Sequence, residues 1–262
     1  MPRPVITLTT DFGLHDHFAG AMKGVIKTIA PNADIIDISH GITPHKISEG
    51  AFVLAQAWRY FPKKTIHVVV VDPGVGSPRR PILVQGGGHS FVAPDNGVLG
   101  MILQTEKCVA REITASRYFL QPVSRTFHGR DVFSPVAAHL ASGVAPSKFG
   151  PKIEDAFRPA FDGVNRTGKR AWTGAVLKID RFGNLITSIP AASFPALADS
   201  VFELNVGFEK ITRMVDSYAA AQPGELFVIE GSTGYLEVCL NQGSAAAQLK
   251  VGQGAPVELM IW

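Results

Sequence analysis

The sequence predicts two domains: an N-terminal α/β domain with a mostly parallel sheet and helices on both faces, and a smaller C-terminal antiparallel β-barrel. Three observations predict this fold class. Strand and helix patterns alternate over residues 1–150, a linker rich in proline, glycine and polar residues covers 151–170, and short strand patterns follow over 171–262. With 46% hydrophobic and 18% charged residues, the chain of 262 residues can bury a sizeable core.

The elements of the first domain follow from the spacing of its apolar residues. Helices are predicted where apolar residues recur at every third or fourth position, as at Phe18, Met22 and Ile26. Short connections between alternating strands and helices favour parallel pairing of the strands. The predicted elements are strand 5–9, a helix from after Asp11 to 29, strand 33–39, helix 46–60, a strand ending at Asp72, strands near 82–85 and 91, a short helix capped by Asp95 and Asn96, and helix 132–140.

The second domain has a different pattern, because helical spacing fades after the linker. Short strands at regular spacing, with turns between them, are typical of a small barrel or sandwich. The predicted strands cover 172–189, 201–206, 211–215, 226–229, 235–240, 247–251 and 257–261.

Composition excludes several classes of function. The formal net charge is +3 and no basic run with interleaved aromatic residues occurs, so nucleic-acid binding is not expected. No apolar run approaches the roughly 20 residues of a membrane-spanning helix. The N-terminus lacks the apolar segment of a signal peptide, so we expect a soluble, cytoplasmic protein. Cys108 and Cys239 have no metal-ligand spacing and are expected to be buried thiols in a reducing compartment.

The most informative stretch is V-V-V-V-D-P-G-V-G-S-P-R-R, from Val68 to Arg80. A fully apolar run is typical of a central strand buried on both faces. An ionisable residue at the carboxyl end of such a strand stands where open α/β sheets bind their ligands. Asp72 and Arg79 are therefore candidate site residues. The structural alternative is that Asp72 only caps its own turn and that the arginines are solvated.

Two further polar clusters lie in loops of the first domain. T-T-D-F-G places Asp11 after the first strand, where a carboxylate can accept two ribose hydroxyls or simply cap the next helix. The neighbouring His15, Asp16 and His17 have no partner at ligand spacing, so no metal site is predicted. T-F-H-G-R-D places His128 before a helix, as a candidate for proton handling or as an ordinary surface histidine.

The second domain carries two clusters. I-D-R-F-G-N places Asp180, Phe182 and Asn184 at a hairpin tip. An exposed aromatic side chain there gains nothing unless it packs on a ligand or partner. E-G-S-T-G-Y-L-E places Ser232 and Glu237 around a turn whose small residues let a flat ring approach the backbone.

In chain order, T-D-F-G, D-P-G-V-G-x-x-R, F-H-G-R-D, D-R-F-G-N and G-S-x-G-Y-L-E resemble the motifs of the S-adenosylmethionine hydroxide adenosyltransferase family, relatives of fluorinase and chlorinase. The resemblance runs from about Val5 to the C-terminus. It implies an N-terminal α/β domain, a C-terminal β-barrel and a homotrimer with active sites at the subunit interfaces. It also implies hydrolysis of S-adenosylmethionine to adenosine and methionine, without a metal or a cofactor.

The resemblance assigns roles to particular residues. Asp72, Arg79 and His128 match the family's catalytic Asp–Arg–His constellation. The matches for substrate binding are Asp11 with the ribose hydroxyls, Phe127 with the pocket wall, Asp180 with the methionine ammonium, Phe182 and Asn184 with adenine, and Ser232 with the methionine carboxylate; Ser188 and Glu237 complete the candidate set.

These residue types suit the chemistry. Attack at the ribose 5′ carbon expels methionine as a neutral thioether, so the difficult step is to form hydroxide from water, whose pKa is about 15.7 in bulk. Arg79 is expected to stabilise the anionic oxygen, and His128 to orient the water and handle its proton. Asp72 is expected to fix Arg79 and to offset positive charge near the sulfonium.

Three alternatives stay open at this point. A halide could replace water, but in the resembling halogenases the position of Asp72 is not acidic and a small hydroxyl residue stands in place of Gly129, so water is favoured. A non-catalytic adenosine or S-adenosylmethionine sensor would not need Arg79 and His128. A metal-dependent phosphoester hydrolase could use Asp72, His128 and Asp131, and activity that survives a chelator would remove that option.

Overall fold

The structure is a computed structural model that describes residues 3–161 and 163–262. These residues form two compact units, the first ending at Ala160 and the second running from Phe161 to Trp262. Within the described residues, no helix combines the length and the apolar character that crossing a membrane requires.

The described part of the first unit contains a seven-stranded sheet in the order β2-β1-β3-β5-β4-β6-β7, and four α-helices. Its strands are β1 (Val5–Thr10), β2 (Asp34–Ser39), β3 (Ile66–Val70), β4 (Pro81–Gly86), β5 (His89–Pro94), β6 (Val109–Glu112) and β7 (Lys152–Ile153). Its helices are α1 (Phe18–Ile29), α2 (Ile47–Ala57), α3 (Gly100–Thr105) and α4 (Ser134–Ala141).

The sheet is mixed, so the prediction of a mostly parallel sheet is wrong. Strands β2, β1, β3 and β5 pair in parallel, whereas β5, β4, β6 and β7 pair antiparallel. The reason is the turn between β4 and β5, where Gly87 and Gly88 both have positive φ. Two such residues make a tight hairpin, which leaves no room for the crossover that parallel pairing needs.

The apolar run that precedes Asp72 divides between two core clusters. Val68 and Val70 pack in a cluster with Met22 of α1, and Val69 and Val71 pack in another with Leu54 of α2. Alternate residues of a strand point to opposite faces. The run is therefore continuously apolar because neither set of its side chains meets solvent.

Two local predictions in the first unit need correction. Helix α1 begins at Phe18, so Asp11 lies in a loop well before the helix and does not cap it. Asp95 and Asn96 do not cap α3, which begins at Gly100. The Asn96 side chain instead donates to the carbonyl of Val71 at 2.8 Å, and so it holds the end of the buried run.

The described part of the second unit contains an eight-stranded antiparallel sheet in the order β12-β11-β15-β9-β10-β14-β13, with β8 paired to β9. The sheet is barrel-like and nearly closed, because a bridge between Met214 and Val228 connects the segment after β12 to β13. The strands are β8 (Asn165–Arg166), β9 (Ala171–Ile179), β10 (Leu185–Pro190), β11 (Phe202–Val206), β12 (Glu209–Ile211), β13 (Leu226–Glu230), β14 (Tyr235–Leu240) and β15 (Pro256–Ile261).

The predicted strand at 247–251 is wrong, since this region forms helix α5 (Ala245–Leu249). The Ser244 hydroxyl accepts a hydrogen bond from the backbone N–H of Ala247 and so caps the helix. A serine cap followed by alanines favours a helix over a strand. The predicted strand at 211–215 is also misplaced, because β12 covers Glu209–Ile211 and shares only Ile211 with it.

Candidate active site

Asp72, Arg79 and His128 form one hydrogen-bonded group in the first unit, here named the Asp72 cluster. Arg79 Nε donates to Asp72 Oδ1 at 3.0 Å, and Arg79 Nη2 donates to Asp72 Oδ2. Nη2 also donates to His128 Nδ1 at 2.8 Å. The side chains of Asp72 and Arg79 are only 4% and 9% exposed. Arg79 is therefore part of a buried ion pair, and the alternative that both arginines after Asp72 are solvated does not hold for it.

The pairing of β1 with β3 and the close backbone approach at Gly76 bring together the loops that carry these residues. Thr10 at the end of β1 lies opposite Val70 at the end of β3, so Asp11 and Asp72 follow the carboxyl ends of neighbouring parallel strands. Gly76 has a φ of +79°, and a Cβ there would lie 2.5 Å from the carbonyl oxygen of Arg125. Only glycine allows this conformation and this close approach. The loop after Asp72 thus packs against the backbone just before His128.

The contact with Arg79 fixes the protonation state of His128. A guanidinium can only donate, so Nδ1 of His128 must accept, and the imidazole is neutral with its proton on Nε2. Burial of the ring, followed by the charge of Arg79, lowers the pKa of His128, and the charges of Asp72 and Asp131 oppose this shift. His128 therefore presents an N–H donor.

Arg79 keeps part of its donor capacity unused. Its Nη1 is buried and has no hydrogen-bond partner among the described residues. Its Cζ lies 5.4 Å from the centre of the Phe133 ring, which supports the guanidinium plane. Because a buried donor without a partner costs free energy, the N–H groups of Nη1 are suited to a bound anion or water.

Asp11 and Phe127 lie on segments that adjoin this cluster. The Asp11 carboxylate accepts the backbone N–H of His45 at 2.9 Å and is otherwise partly exposed. The rings of Phe12 and Phe127 pack at 5.9 Å, which ties the Asp11 loop to the residue before His128. Phe127 is itself buried in the core cluster.

The charged residues that neighbour this cluster in the sequence form ion pairs with other residues. Arg80 pairs with Asp95 at 2.7 Å and with Asp155 at 3.0 Å. The buried Asp131 carboxylate accepts from Arg130 Nε at 2.6 Å and from the backbone N–H of Ser124 at 2.8 Å. In residues 3–161 and 163–262, no group of three or more His, Cys, Asp or Glu is arranged to hold a metal ion.

The second unit contains a cavity of about 1070 Å³, here named the acidic cavity. Five predicted binding residues line it: Asp180, Phe182, Asn184, Ser232 and Glu237. Phe182 is 78% exposed, although it is a large aromatic residue. The structure therefore brings together the two motifs of the second domain, which are some fifty residues apart in the sequence.

The Asp180 carboxylate organises the hairpin tip between β9 and β10. Oδ1 accepts the backbone N–H groups of Phe182 at 2.8 Å and Asn184 at 2.9 Å, and Oδ2 accepts the Asn184 side-chain amide at 2.9 Å. The same amide donates to the hydroxyl of Tyr218 at 3.1 Å. Both N–H groups of Asn184 are thereby used, and its amide oxygen is left to accept.

Glu237 is the other carboxylate deep in the acidic cavity. It is 8% exposed, and Thr233 donates to its Oε1 at a long 3.4 Å. A Cβ on Gly231 would overlap the Glu237 carboxylate, so the bare glycine backbone gives that side chain its place. Burial, followed by the charge of Asp180, raises the pKa of Glu237.

Ser188 was predicted to bind substrate but does not line the acidic cavity, whereas Tyr218 was not predicted and does line it. Ser188 is buried in β10, where its hydroxyl accepts the backbone N–H of Ala175 at 3.0 Å, and it does not line the acidic cavity. Tyr218 does line it, and its hydroxyl lies 3.4 Å from the sulfur of the buried Cys239, whose pKa burial raises to about 12. No motif surrounds Tyr218, so sequence reasoning missed it.

Comparison with known proteins gives matches over nearly the whole chain. Residues 6–150 match the model of the SAM hydroxide adenosyltransferase N-terminal domain, and residues 174–258 match that of the C-terminal domain. The chain is 39% identical to the (R)-S-adenosyl-L-methionine hydrolase of Salinispora tropica, over 97% of this chain and 96% of that protein. It is 26% identical to a fluorinase of Actinopolyspora mzabensis, over 98% and 97%. A crystal structure of an uncharacterized conserved protein from Thermotoga maritima matches with a TM-score of 0.91 and 35% identity, over 97% and 99%.

Proposed function

The chain belongs to the SAM hydroxide adenosyltransferase family, and from that premise we propose that it hydrolyses S-adenosyl-L-methionine to adenosine and L-methionine. It is an enzyme, and its substrate is a small molecule. The observation that carries the mechanism is the buried contact of Asp72, Arg79 and His128 in residues that the family model covers.

In the proposed reaction, the oxygen of water attacks the ribose 5′ carbon. A carbon–oxygen bond forms, the bond from that carbon to sulfur breaks, and its electron pair stays on sulfur, so that methionine leaves as a neutral thioether. One proton from the water is released. No acid is needed for the leaving group, and the work of the protein is to stabilise the anionic oxygen.

The geometry favours donor roles for both Arg79 and His128. Arg79 Nη1 has no protein partner among the described residues, and neutral His128 carries its proton on Nε2. Two donors directed at one oxygen lower the free energy of its anionic form. His128 orients the nucleophile by donating from Nε2, because Nδ1, the nitrogen that could take a proton, already accepts from Arg79. Asp72 holds the guanidinium in place through two hydrogen bonds.

The deciding experiment is turnover in ¹⁸O-labelled water. We expect adenosine and methionine in equal amounts, with one labelled oxygen in adenosine, because attack at the 5′ carbon places the solvent oxygen there. Adenosine without label, or no turnover at all, would contradict hydrolysis at that carbon. An inactive protein that binds the nucleoside would instead be a sensor.

Halide use is tested in the same assay with chloride present. We expect no 5′-chloro product, since Asp72 is acidic and Gly129 is enclosed: a Cβ there would lie 3.2 Å from Met22 Sδ and 3.3 Å from the Phe127 ring. A chlorinated product would show that this pocket accepts a halide. Activity that survives a chelator supports hydrolysis without a metal, and its loss would favour the phosphoesterase alternative.

We propose a homotrimer with active sites at the subunit interfaces, a cytoplasmic location, and no metal or cofactor. We also propose that helices cover both faces of the first sheet, which the two core clusters around β3 support.

The proposed homotrimer can be tested by light scattering, which should give a mass near three times the 28.1 kDa of one chain. Mixing two inactive variants, Arg79→Ala and Asn184→Ala, should restore activity if each site takes residues from two subunits, and no recovery would argue against shared sites.

A further inference from the structure

The segment that carries His128 is closed on itself by a buried carboxylate. Asp131 is fully buried, and its Oδ2 accepts the backbone N–H of Ser124 at 2.8 Å. The backbone N–H of Asp131 in turn donates to the carbonyl of Phe127 at 3.1 Å. One residue therefore holds both the start and the middle of residues 124–131, here named the His128 loop.

The carbonyl of Asp131 connects the His128 loop to a second segment. The loop leads into Gly129–Phe133, which forms a π-helical turn, an irregularity that is frequent at functional sites. Pro135 has no N–H to give to the Asp131 carbonyl four residues before it. That carbonyl accepts the backbone N–H of Leu120 instead, at 2.9 Å. Asp131 thus ties the loop to the chain before it by side chain and by backbone.

Arg130 holds the Asp131 carboxylate from the more exposed side. Its Nε donates to Asp131 Oδ1 at 2.6 Å, and its Nη2 donates to Oδ2 at 3.0 Å. Its Cζ lies 5.0 Å from the centre of the Phe127 ring. The guanidinium therefore bridges Phe127 and Asp131, which lie on either side of His128 in the chain.

The Arg130–Asp131 pair is better explained by placement than by stability. Burial of two opposite charges gains little net stability, because their desolvation offsets their attraction. A two-pronged contact between guanidinium and carboxylate adds geometric specificity. The residue that this geometry places is His128, whose Nδ1 must stay within 2.8 Å of Arg79 Nη2 to accept from it.

We propose that Asp131 and Arg130 are positioning residues for the reaction, which hold the His128 loop so that the imidazole accepts from Arg79 and keeps its other N–H for the reacting oxygen. Both act through His128, and the assignment rests on the proposed function. Asp131 has a second effect. Burial and the charge of Arg79 lower the pKa of His128, and the negative charge of Asp131 opposes that shift.

The first test is kinetic and uses Arg130→Gln, because the Arg130 side chain is 35% exposed and its removal disturbs the fold less than a change at Asp131. We expect kcat to fall about 10- to 100-fold, since a displacement of about 1 Å can cost a factor of this order. Binding of 5′-methylthioadenosine and S-adenosylhomocysteine, two substrate analogues without the reacting sulfonium, should stay within about twofold. Arg130→Lys keeps the charge without the two-pronged contact, so it should recover only part of the rate.

The second test needs no turnover, because ¹⁵N NMR of histidine-labelled protein shows which ring nitrogen of His128 carries the proton. His128→Gln identifies the signals. The wild type should show a bare Nδ1 and a protonated Nε2. In Arg130→Gln and Asp131→Asn, we expect each ring nitrogen to carry the proton part of the time, since the ring is no longer held against Arg79. Asp131→Asn should also lower the pKa of His128 further, whereas Arg130→Gln keeps the carboxylate and should not.

Arg80→Gln is the matched control. Arg80 also donates from Nε and Nη2 to a largely buried carboxylate, that of Asp95, and its side chain is 28% exposed. We expect this variant to lose stability but to keep kcat and the His128 signals. An equal loss of kcat in Arg80→Gln would make the effect one of general stability and overturn the proposal.

Three further results would also overturn it. These are an unchanged kcat in Arg130→Gln, unchanged His128 signals in a slowed variant, and weaker binding of the analogues at unchanged kcat, which would place Arg130 on the substrate. A wild-type protein that releases no adenosine would instead refute the proposed hydrolysis, and the NMR comparison would still decide whether the Arg130–Asp131 pair holds His128.

Discussion

The Asp72 cluster in the first unit and the acidic cavity in the second treat buried charge in opposite ways. In the cluster, Asp72 and Arg79 neutralise each other through two hydrogen bonds, and His128 accepts a third. In the cavity, Glu237 has no cationic partner among the described residues. The two opposite charges of the cluster thus balance each other before a ligand arrives, whereas the carboxylates of the described cavity lining have no cationic partner there.

This contrast fits the separate tasks of reaction and recognition. Groups that stabilise a transition state work best when they are already fixed, because no reorganisation is then needed during the reaction. A group that selects a ligand gains most when its partner comes only with that ligand. The expected effects of mutation therefore differ in kind: changes in the cluster should alter turnover, and changes in the cavity should alter affinity.

The largest effect is expected for Arg79→Ala. Losing the guanidinium should lower kcat by about 10²- to 10³-fold, the range for removal of one donor to a developing anion, with little change in 5′-methylthioadenosine binding. Arg79→Lys keeps the charge but not the two-pronged contact with Asp72, so it should recover only part of the rate. Stopped assays for adenosine and calorimetry measure the two quantities.

A fold defect must be separated from a catalytic one in this experiment. Removing Arg79 leaves the Asp72 carboxylate buried without its partner, which typically costs about 3–5 kcal/mol of stability. Asp72→Asn/Arg79→Ala removes both charges and should regain stability but not rate. Wild-type turnover in Arg79→Ala would refute the role of the guanidinium.

The second prediction concerns acid stability, which should differ between the units. All eight histidines lie at or before His139, so none belongs to the second unit. Burial, followed by the charge of His89, lowers the pKa of His67 from 6.5 to about 3. Between these values the unfolded chain binds a proton that the folded chain does not, so the free energy of unfolding falls as pH falls, by at most about 1.4 kcal/mol per pH unit.

Hydrogen exchange at pH 6.5 and pH 5 measures this difference region by region. We expect protection to drop in the first unit more than in the second. His67→Gln should flatten the pH slope in the first unit, while the exposed His15→Gln should leave it as in the wild type. Equal acid sensitivity of both units would show that carboxylates, and not His67, dominate it.

The third prediction is the pH dependence of turnover. Because burial and the charge of Arg79 lower the pKa of His128 below the ordinary 6.5, its ring is protonated less at acidic pH than an ordinary histidine. We expect the acid limb of kcat to have an apparent pKa below 6.5, so that kcat falls less between pH 7.5 and pH 6 than an ordinary imidazole would give. Below the lowered pKa, a protonated ring could no longer accept from Arg79, and the rate should fall. His128→Gln should be slower and lack this fall, and an acid limb with an apparent pKa above 6.5 would contradict the assignment.

The order of an α/β domain and a β domain, and the local positions of Asp72 and Phe182, were predictable because they depend on short local signals. Asp72 follows a buried strand, and Phe182 lies at a hairpin tip, so spacing and turn chemistry located both. Ser188 and Tyr218 were not predictable in the same way. The Ser188 hydroxyl accepts a hydrogen bond from the backbone of the neighbouring strand β9, and Tyr218 reaches the acidic cavity through tertiary packing. The mixed pairing of the first sheet depends on the Gly87–Gly88 turn. The prediction of a mostly parallel sheet gave more weight to the strand–helix alternation than to this turn.

The smallest effect on stability is expected for Phe182→Ala, which nonetheless separates recognition from folding. Its ring is 78% exposed, so it buries little area in the free protein, and removing it should change the free energy of unfolding by less than about 0.5 kcal/mol. If the ring packs on adenine, however, the variant loses a stacking contact of about 1–3 kcal/mol, and 5′-methylthioadenosine and S-adenosylhomocysteine should weaken alike. Phe208→Ala, a change at another fully exposed ring, is the matched control and should leave both ligands unaffected. A Phe182→Ala variant that loses only S-adenosylhomocysteine would place this ring on the amino-acid part and contradict its packing on adenine.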